Sequence, residues 1–152
     1  MSALIWQCQP FDELTAAQVY EMLRLRSEVF VVEQRCLFQD IDGTDAQAWH
    51  LGAWQAGRLM AYARLFGPGI KAAQPSFGRV ITAPAARGQG LGHELARQAV
   101  LACERIWPGQ GITIFAQSHL QAYYGAHSFE PVGPEFMEDD ILHQEMQRKA
   151  QP

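Results

Sequence analysis

Apolar residues recur along this chain with two alternating periods, and the switches between them lay out its elements. Leu4 to Cys8 reads as a short strand. Thr15 then opens a helix with a capping signature: Gln18 stands three residues on, and Leu14 and Val19 are spaced to pack across the cap. Val19, Met22, Leu23, Val29 and Phe30 follow at helical spacing, with Arg26 interrupting the apolar face. Such an arginine either snorkels to the edge or anchors an acidic loop, and the pattern allows both.

From Val31 to Ala48 no period holds, which predicts a long loop or broken helix. Trp49 to Trp54 and Leu59 to Phe66 read as a hairpin joined through Gln55-Ala56-Gly57-Arg58. Phe77 to Thr82 is a further strand, and Leu91, Leu95, Ala99, Ala102, Cys103 and Ile106 mark a helix that Pro108-Gly109 stops. A strand over Ile112 to Ala116, a short helix around Leu120 to His127 and weak strands near Phe129 to Val132 and His143 to Met146 complete the order β-α-β-β-β-α-β-α-β-β. That order predicts a mixed α/β fold, one mixed sheet with helices packed on it, in a single domain over residues 1–152.

Composition narrows the function classes. With 152 residues and 48% hydrophobic content, any active site must be made within one core-sized domain. No apolar run reaches the length of a bilayer span or a secretory core, so a cytoplasmic protein with no membrane partner is expected. Lys71 and Lys149 are the lysines, and the net charge is −4, which leaves no basic stripe for nucleic acid. Cys8, Cys36 and Cys103 are odd in number and widely spaced, and suggest neither a disulfide framework nor a zinc site. Asp40, Asp42 and Asp45 cluster in the irregular segment and would favour a cationic substrate if they face a cleft. They do not make a calcium loop, because the twelfth position counted from Asp40 is Leu51, and no metal is expected.

Candidate chemistry is densest at Arg87-Gly88-Gln89-Gly90-Leu91-Gly92, between the Phe77 strand and the Leu91 helix. A helix N-terminus presents unpaired N–H groups and partial positive charge, and glycines let an anion approach that backbone. A nucleotide triphosphate loop would end in Gly-Lys-Ser/Thr, and a dinucleotide fingerprint would place its third glycine one residue later. The remaining pattern, Arg/Gln-x-x-Gly-x-Gly/Ala, is matched by Arg87, Gly90 and Gly92.

On those residues the chain resembles the GNAT superfamily of N-acetyltransferases, and the resemblance runs over nearly its whole length. It implies that Val80, Ile81 and Thr82 offer backbone groups to the pantetheine arm of acetyl-CoA and that the segment Gly88, Gln89, Gly90, Leu91, Gly92 holds its pyrophosphate, with Arg87 adding charge. The superfamily's later signature, Asn-x-x-Ala-x-x-x-Tyr-x-x-x-Gly-Phe, aligns with Gln117 through Phe129 and puts Tyr124 on the tyrosine, with Gln117 for asparagine, Leu120 for alanine and Ser128 for glycine. Within the superfamily, Arg26 to Asp45 followed by His50 is most similar to the ElaA-like branch.

The implied reaction is direct acyl transfer in a ternary complex to the amine of a small molecule or peptide; a homodimer is left open. An amine of pKa about 10.4 is neutral in about one molecule in 2,500 at pH 7, a handicap of about 4.6 kcal/mol, so a base or a desolvating pocket is needed. Tyr124 is the candidate acid for the departing thiolate, and a backbone N–H near Val80 or Ile81 the candidate oxyanion donor. Where many members of the superfamily carry a glutamate base, this chain has Gly78-Arg79-Val80, which leaves Glu33, His50 and His119 as candidates. Each has a plainer reading as a structural or surface residue. Two alternatives stand: a CoA-binding module that does not acylate, and an enzyme similar to acyl-homoserine-lactone synthases, suggested by Arg26, Val29-Phe30 and Arg64-Leu65 but lacking their greater length.

Overall fold

The computed structural model describes residues 3–151. Its strands are β1 (Ile5–Pro10), β2 (Trp49–Gln55), β3 (Arg58–Phe66), β4 (Ser76–Thr82), β5 (Ile112–Gln117), β6 (Glu130–Pro131), β7 (Phe136–Glu138) and β8 (Ile141–Arg148). The helices are α1 (Ala16–Arg26), α2 (Leu91–Ile106) and the short α3 (Gln121–Gly125). The hydrogen-bonded strand order is β1-β2-β3-β4-β5-β8-β6, with β7 also on β8. β4 and β5 run parallel and β5 and β8 antiparallel, so the sheet is mixed, as the sequence predicts. No described helix is long and apolar enough to cross a membrane.

The chain forms two compact units, one of residues up to 64 with 79–95, the other of residues 65–78 with those from 96 on. In the first, the capping box forms as the spacing requires: the Gln18 amide donates to Thr15 Oγ1 at 3.1 Å, and the Thr15 amide to Gln18 Oε1 at 2.9 Å. Met22, Leu25 and Val29 share a core with Leu59, Tyr62, Ile81 and Ala83, against which Leu14, Val19 and Phe30 pack. After Arg26 the helix widens into a π-helical turn, Ser27–Glu33. The expected helix to about Phe30 therefore continues three residues further, to Glu33. The β2–β3 hairpin turns on Ala56 (φ 51°) and Gly57 (φ 77°), a left-handed pair that suits a two-residue connection.

In the second unit, Phe77, Tyr124 and Phe129 form a ring cluster, with Phe77 edge-on to Phe129 at 5.8 Å between centroids. β8 pairs with β5 over Ile112↔Arg148 to Gln117↔His143. β7 corrects the seven-strand order: Phe136–Glu138 pairs with Ile141–His143 across a turn on Asp139 (φ 50°) and Asp140 (φ 61°). Two aspartates carry a left-handed turn that glycine or asparagine would have advertised. The predicted helix over Leu120 to His127 is split into a one-turn 3-10 helix, Ser118–Leu120, and α3.

Candidate active site

The glycine loop is built where β4 ends. The Ala83 amide donates to Met60 O at 2.8 Å, and Pro84–Ala86 then makes one 3-10 turn. Gly88 (φ 81°) and Gly90 (φ 75°) take left-handed conformations immediately before α2 begins at Leu91. A Cβ on either would meet no atom within 4 Å, so these glycines answer a backbone requirement and leave open space beside the loop. The Glu94 amide donates to Gly90 O at 3.4 Å, so Gly90 sits at the N-terminal end of α2, where a helix carries partial positive charge.

Two residues that the sequence marks separately meet here. Arg87 is held bidentately by Glu33, with Nη2–Oε1 at 2.7 Å and Nη1–Oε2 at 3.1 Å, and its Nε donates to Thr82 O at 3.3 Å. The hydrogen bonds and charge of Arg87 hold the Glu33 carboxyl below its ordinary range. That makes Glu33 a poorer proton acceptor and leaves its carboxylate engaged with the arginine beside the loop.

β4 carries a kink at Arg79, which lies inside the strand at φ 51°, a left-handed conformation of the kind that marks a bulge. Its side chain is tied down: Nε donates to Asp40 Oδ1 at 2.9 Å, and the guanidinium lies over the rings of Phe38 at 5.2 Å and Phe30 at 6.0 Å. Val80 and Thr82 are half-buried and Ile81 is in the core.

The acidic segment faces arginines. Arg26, fully buried, donates from Nε to Asp40 Oδ2 at 3.0 Å and from Nη1 to Asp45 Oδ1 at 2.7 Å. Arg64 reaches Asp42 with both Nη atoms at 2.9 Å and Asp45 at 3.0 Å. Three aspartates are thus matched by Arg26, Arg64 and Arg79, and Asp40 and Asp45 are buried. The expectation of an anionic rim for a cationic substrate is corrected by these partners: the cluster is neutralised from within. Burial pushes the Asp42 and Asp45 carboxyls up, but hydrogen bonds from Arg64 and Thr44 to Asp42, and from Arg26 and Arg64 to Asp45, outweigh it and hold both below the usual range.

His50 belongs to the same framework. Its Nε2 lies 2.9 Å from Asp45 O, which can only accept, so Nε2 carries the proton and Nδ1 accepts from the Tyr62 hydroxyl at 2.7 Å. Burial lowers its pKa, and the imidazole is held neutral in one tautomer. Both ring nitrogens are occupied, which explains His50 as a structural residue and removes it from the candidate bases.

In the second unit, Gln117 ends β5, His119 is exposed on the 3-10 turn, and Tyr124 is buried. Burial and the neighbouring Tyr123 push the Tyr124 hydroxyl well above its ordinary pKa, and burial pushes Tyr123 up to about 12. A tyrosine so shifted keeps its proton at neutral pH.

Residues 12–150 match the model of the acetyltransferase (GNAT) domain. The chain belongs to the GNAT acetyltransferase family. It is 38% identical to Protein ElaA of Escherichia coli over 95% of its own length and 96% of that protein's. The crystal structure of ElaA superposes with a TM-score of 0.90, at 37% identity and over 97% of this chain and all of that one. An acyl-CoA N-acyltransferase from Pseudomonas aeruginosa superposes at 0.92, with 47% identity over 96% of this chain and 99% of that one. The acyl-homoserine-lactone synthase LasI also superposes, at 0.78 over 98% of this chain and 91% of that one, but with 16% identity it shares the fold alone.

The GNAT family uses acyl-CoA, and an open glycine loop at the N-terminus of α2 fits the phosphates of that group. Arg79 is what sequence reasoning missed in this GNAT chain. The stretch Gly78-Arg79-Val80 registers as lacking a glutamate, and nothing in it announces a left-handed arginine, a conformation that is uncommon outside glycine, asparagine and aspartate.

Proposed function

We propose that the protein transfers an acyl group, acetyl in the simplest case, from acyl-CoA directly to the amine of a small molecule or peptide. The observation that carries this reading is the loop Arg87–Gly92, with left-handed Gly88 and Gly90 opening onto α2. In this reading the backbone of Val80, Ile81 and Thr82 binds the pantetheine arm, the amides of the segment from Gly88 through Gln89, Gly90 and Leu91 to Gly92 take the pyrophosphate, and Arg87 adds charge. Gln117 supplies a further polar contact. Acyl-CoA, when bound, brings an activated thioester carbonyl.

The chain's own residues do the rest. An amide beyond the Arg79 kink, of Val80 or Ile81, donates to the carbonyl oxygen as it gains charge, a contribution of about 3–4 kcal/mol for a single well-placed donor. Tyr124, kept protonated by burial, gives its proton to the departing sulfur. His119 is the group we assign to accept the amine proton, because Glu33 is engaged by Arg87.

A second reading is favoured by one observation, the stretch Gly78-Arg79-Val80 with no glutamate where the family often carries one: a module that binds acyl-CoA without turnover. Free thiol release from acetyl-CoA, followed across amines, polyamines, amino acids and lysine peptides, separates the two. Amine-dependent release supports the enzyme, binding with no release for any amine supports the module, and no binding at millimolar acetyl-CoA overturns both.

A further inference from the structure

Asp40 joins two elements through its two carboxylate oxygens. Oδ2 accepts from Arg26 of α1 at 3.0 Å, and Oδ1 accepts from Arg79 of β4 at 2.9 Å. Its carbonyl oxygen repeats the pattern, accepting from Arg26 Nη2 at 2.9 Å and Arg79 Nη2 at 3.3 Å. Arg26 is fully buried and itself held by Asp45, so Asp40 is the end of a rigid anchor. At the other end of its carboxylate sits the one described residue of β4 with positive φ, and it is not a glycine.

A left-handed conformation is disfavoured for an L-residue with a Cβ, and persists only where surroundings over-determine it. At Arg79 the surroundings act through the side chain: a carboxylate grips Nε while Phe38 and Phe30 back the guanidinium plane. The long side chain is therefore a lever on the backbone. We propose that Asp40 is a positioning residue for acyl transfer: by gripping Arg79 it holds the β4 kink, and so the aim of the Val80 and Ile81 amides, without touching the substrate. This rests on the acyl-transfer reading above. It accounts for an arginine within the stretch Gly78-Arg79-Val80, where the family often carries a glutamate, and for the burial of Asp40.

Glycine takes the left-handed conformation without the penalty, whereas alanine does not, and neither carries the lever. Arg79→Ala and Arg79→Gly therefore differ in the backbone preference alone. With acetyl-CoA and an amine identified by thiol release, Arg79→Ala is expected to lower kcat by about ten-fold relative to Arg79→Gly, the size of a left-handed penalty of this kind, while KM for acetyl-CoA changes by less than about two-fold. Asp40→Asn is expected to lower kcat by about ten-fold in the wild-type background and by no more than about two-fold in the Arg79→Gly background, because glycine no longer needs the grip.

Equal kcat for the two Arg79 variants, or an equal effect of Asp40→Asn in both backgrounds, would overturn the proposal. If Asp40→Asn does not fold, the Arg79 pair decides alone. If the wild-type protein turns over no amine, the acyl-transfer reading has failed, and melting temperature still reads the kink: Arg79→Gly is expected to melt above Arg79→Ala, and the reverse order would show that the grip does not hold a strained backbone.

Discussion

Two loops of this protein carry the features of a ligand site in sequence, and only one is left open by the fold. The segment Asp40 to Asp45 gathers three carboxylates, and the segment Arg87 to Gly92 gathers three glycines and a cation. In the structure the aspartates are gripped by Arg26, Arg64 and Arg79, with Asp40 and Asp45 buried, whereas Gly88 and Gly90 open onto unfilled space and the carboxylate that pairs with Arg87, that of Glu33, is exposed and exchangeable. Local charge density is therefore a poor guide to function when the neutralising partners lie 14 to 39 residues away. A backbone geometry that a loop enforces on itself is a better one.

The comparison breaks most visibly at Arg26. Removing one member of a buried charge network strands the others, so Arg26→Ala should cost about 3–5 kcal/mol, read by urea denaturation. A loss below 1 kcal/mol would mean that the aspartates are solvated after all. Acid should dissolve the same network in two stages. His50 has its pKa lowered by burial, so the unfolded chain takes the proton first: its share of stability is complete above about pH 6.5 and drains as the pH falls below that. Asp42 and Asp45, also lowered, contribute fully above about pH 4 and lose their share as the pH falls toward their folded values. Melting temperatures from pH 8 to 3 should show both stages, and His50→Gln should remove the upper one.

The glycine loop should respond in binding more than in folding. Gly90→Ala forces a Cβ into a left-handed site, costing about 1–2 kcal/mol of stability, and also misaims the loop, so acetyl-CoA affinity should fall by at least ten-fold in a calorimetric titration. Smallest of all is Arg87→Ala. The pair with Glu33 is exposed and screened by solvent, so the melting temperature should barely move while acetyl-CoA binding weakens. Glu33→Gln, which releases Arg87 to the cofactor, should tighten that binding, and weaker binding would show that Glu33 serves the ligand directly.

The sequence made the regular elements legible where local chemistry determines them. Thr15 and Gln18 announce α1, the β2–β3 turn follows from Ala56-Gly57, and α2 starts at Leu91 as the glycines require. It failed where a long-range partner decides. Asp139-Asp140 turn left-handed with no glycine, so β7 went unseen, and the π-helical turn Ser27–Glu33 carries the helix past Phe30 into a stretch where the 3.6-residue apolar period no longer holds. The kink at Arg79 depends on Asp40, 39 residues away in sequence, and no local rule reads such a dependence. Arg26 shows the same limit from the other side: the alternative of anchoring an acidic loop is visible in sequence, and burial against Asp40 and Asp45 selects it.

The central claim is that the loop from Arg87 to Gly92 takes the pyrophosphate of acyl-CoA. Calorimetric titration of the wild-type protein with acetyl-CoA, set against S-acetylpantetheine, which carries the same thioester arm without phosphates, tests it most directly. The account predicts that acetyl-CoA binds and that loss of the phosphates weakens binding by at least about a hundred-fold, the equivalent of roughly 2.7 kcal/mol. Equal affinity for the two, or no binding of acetyl-CoA at millimolar concentration, would contradict it.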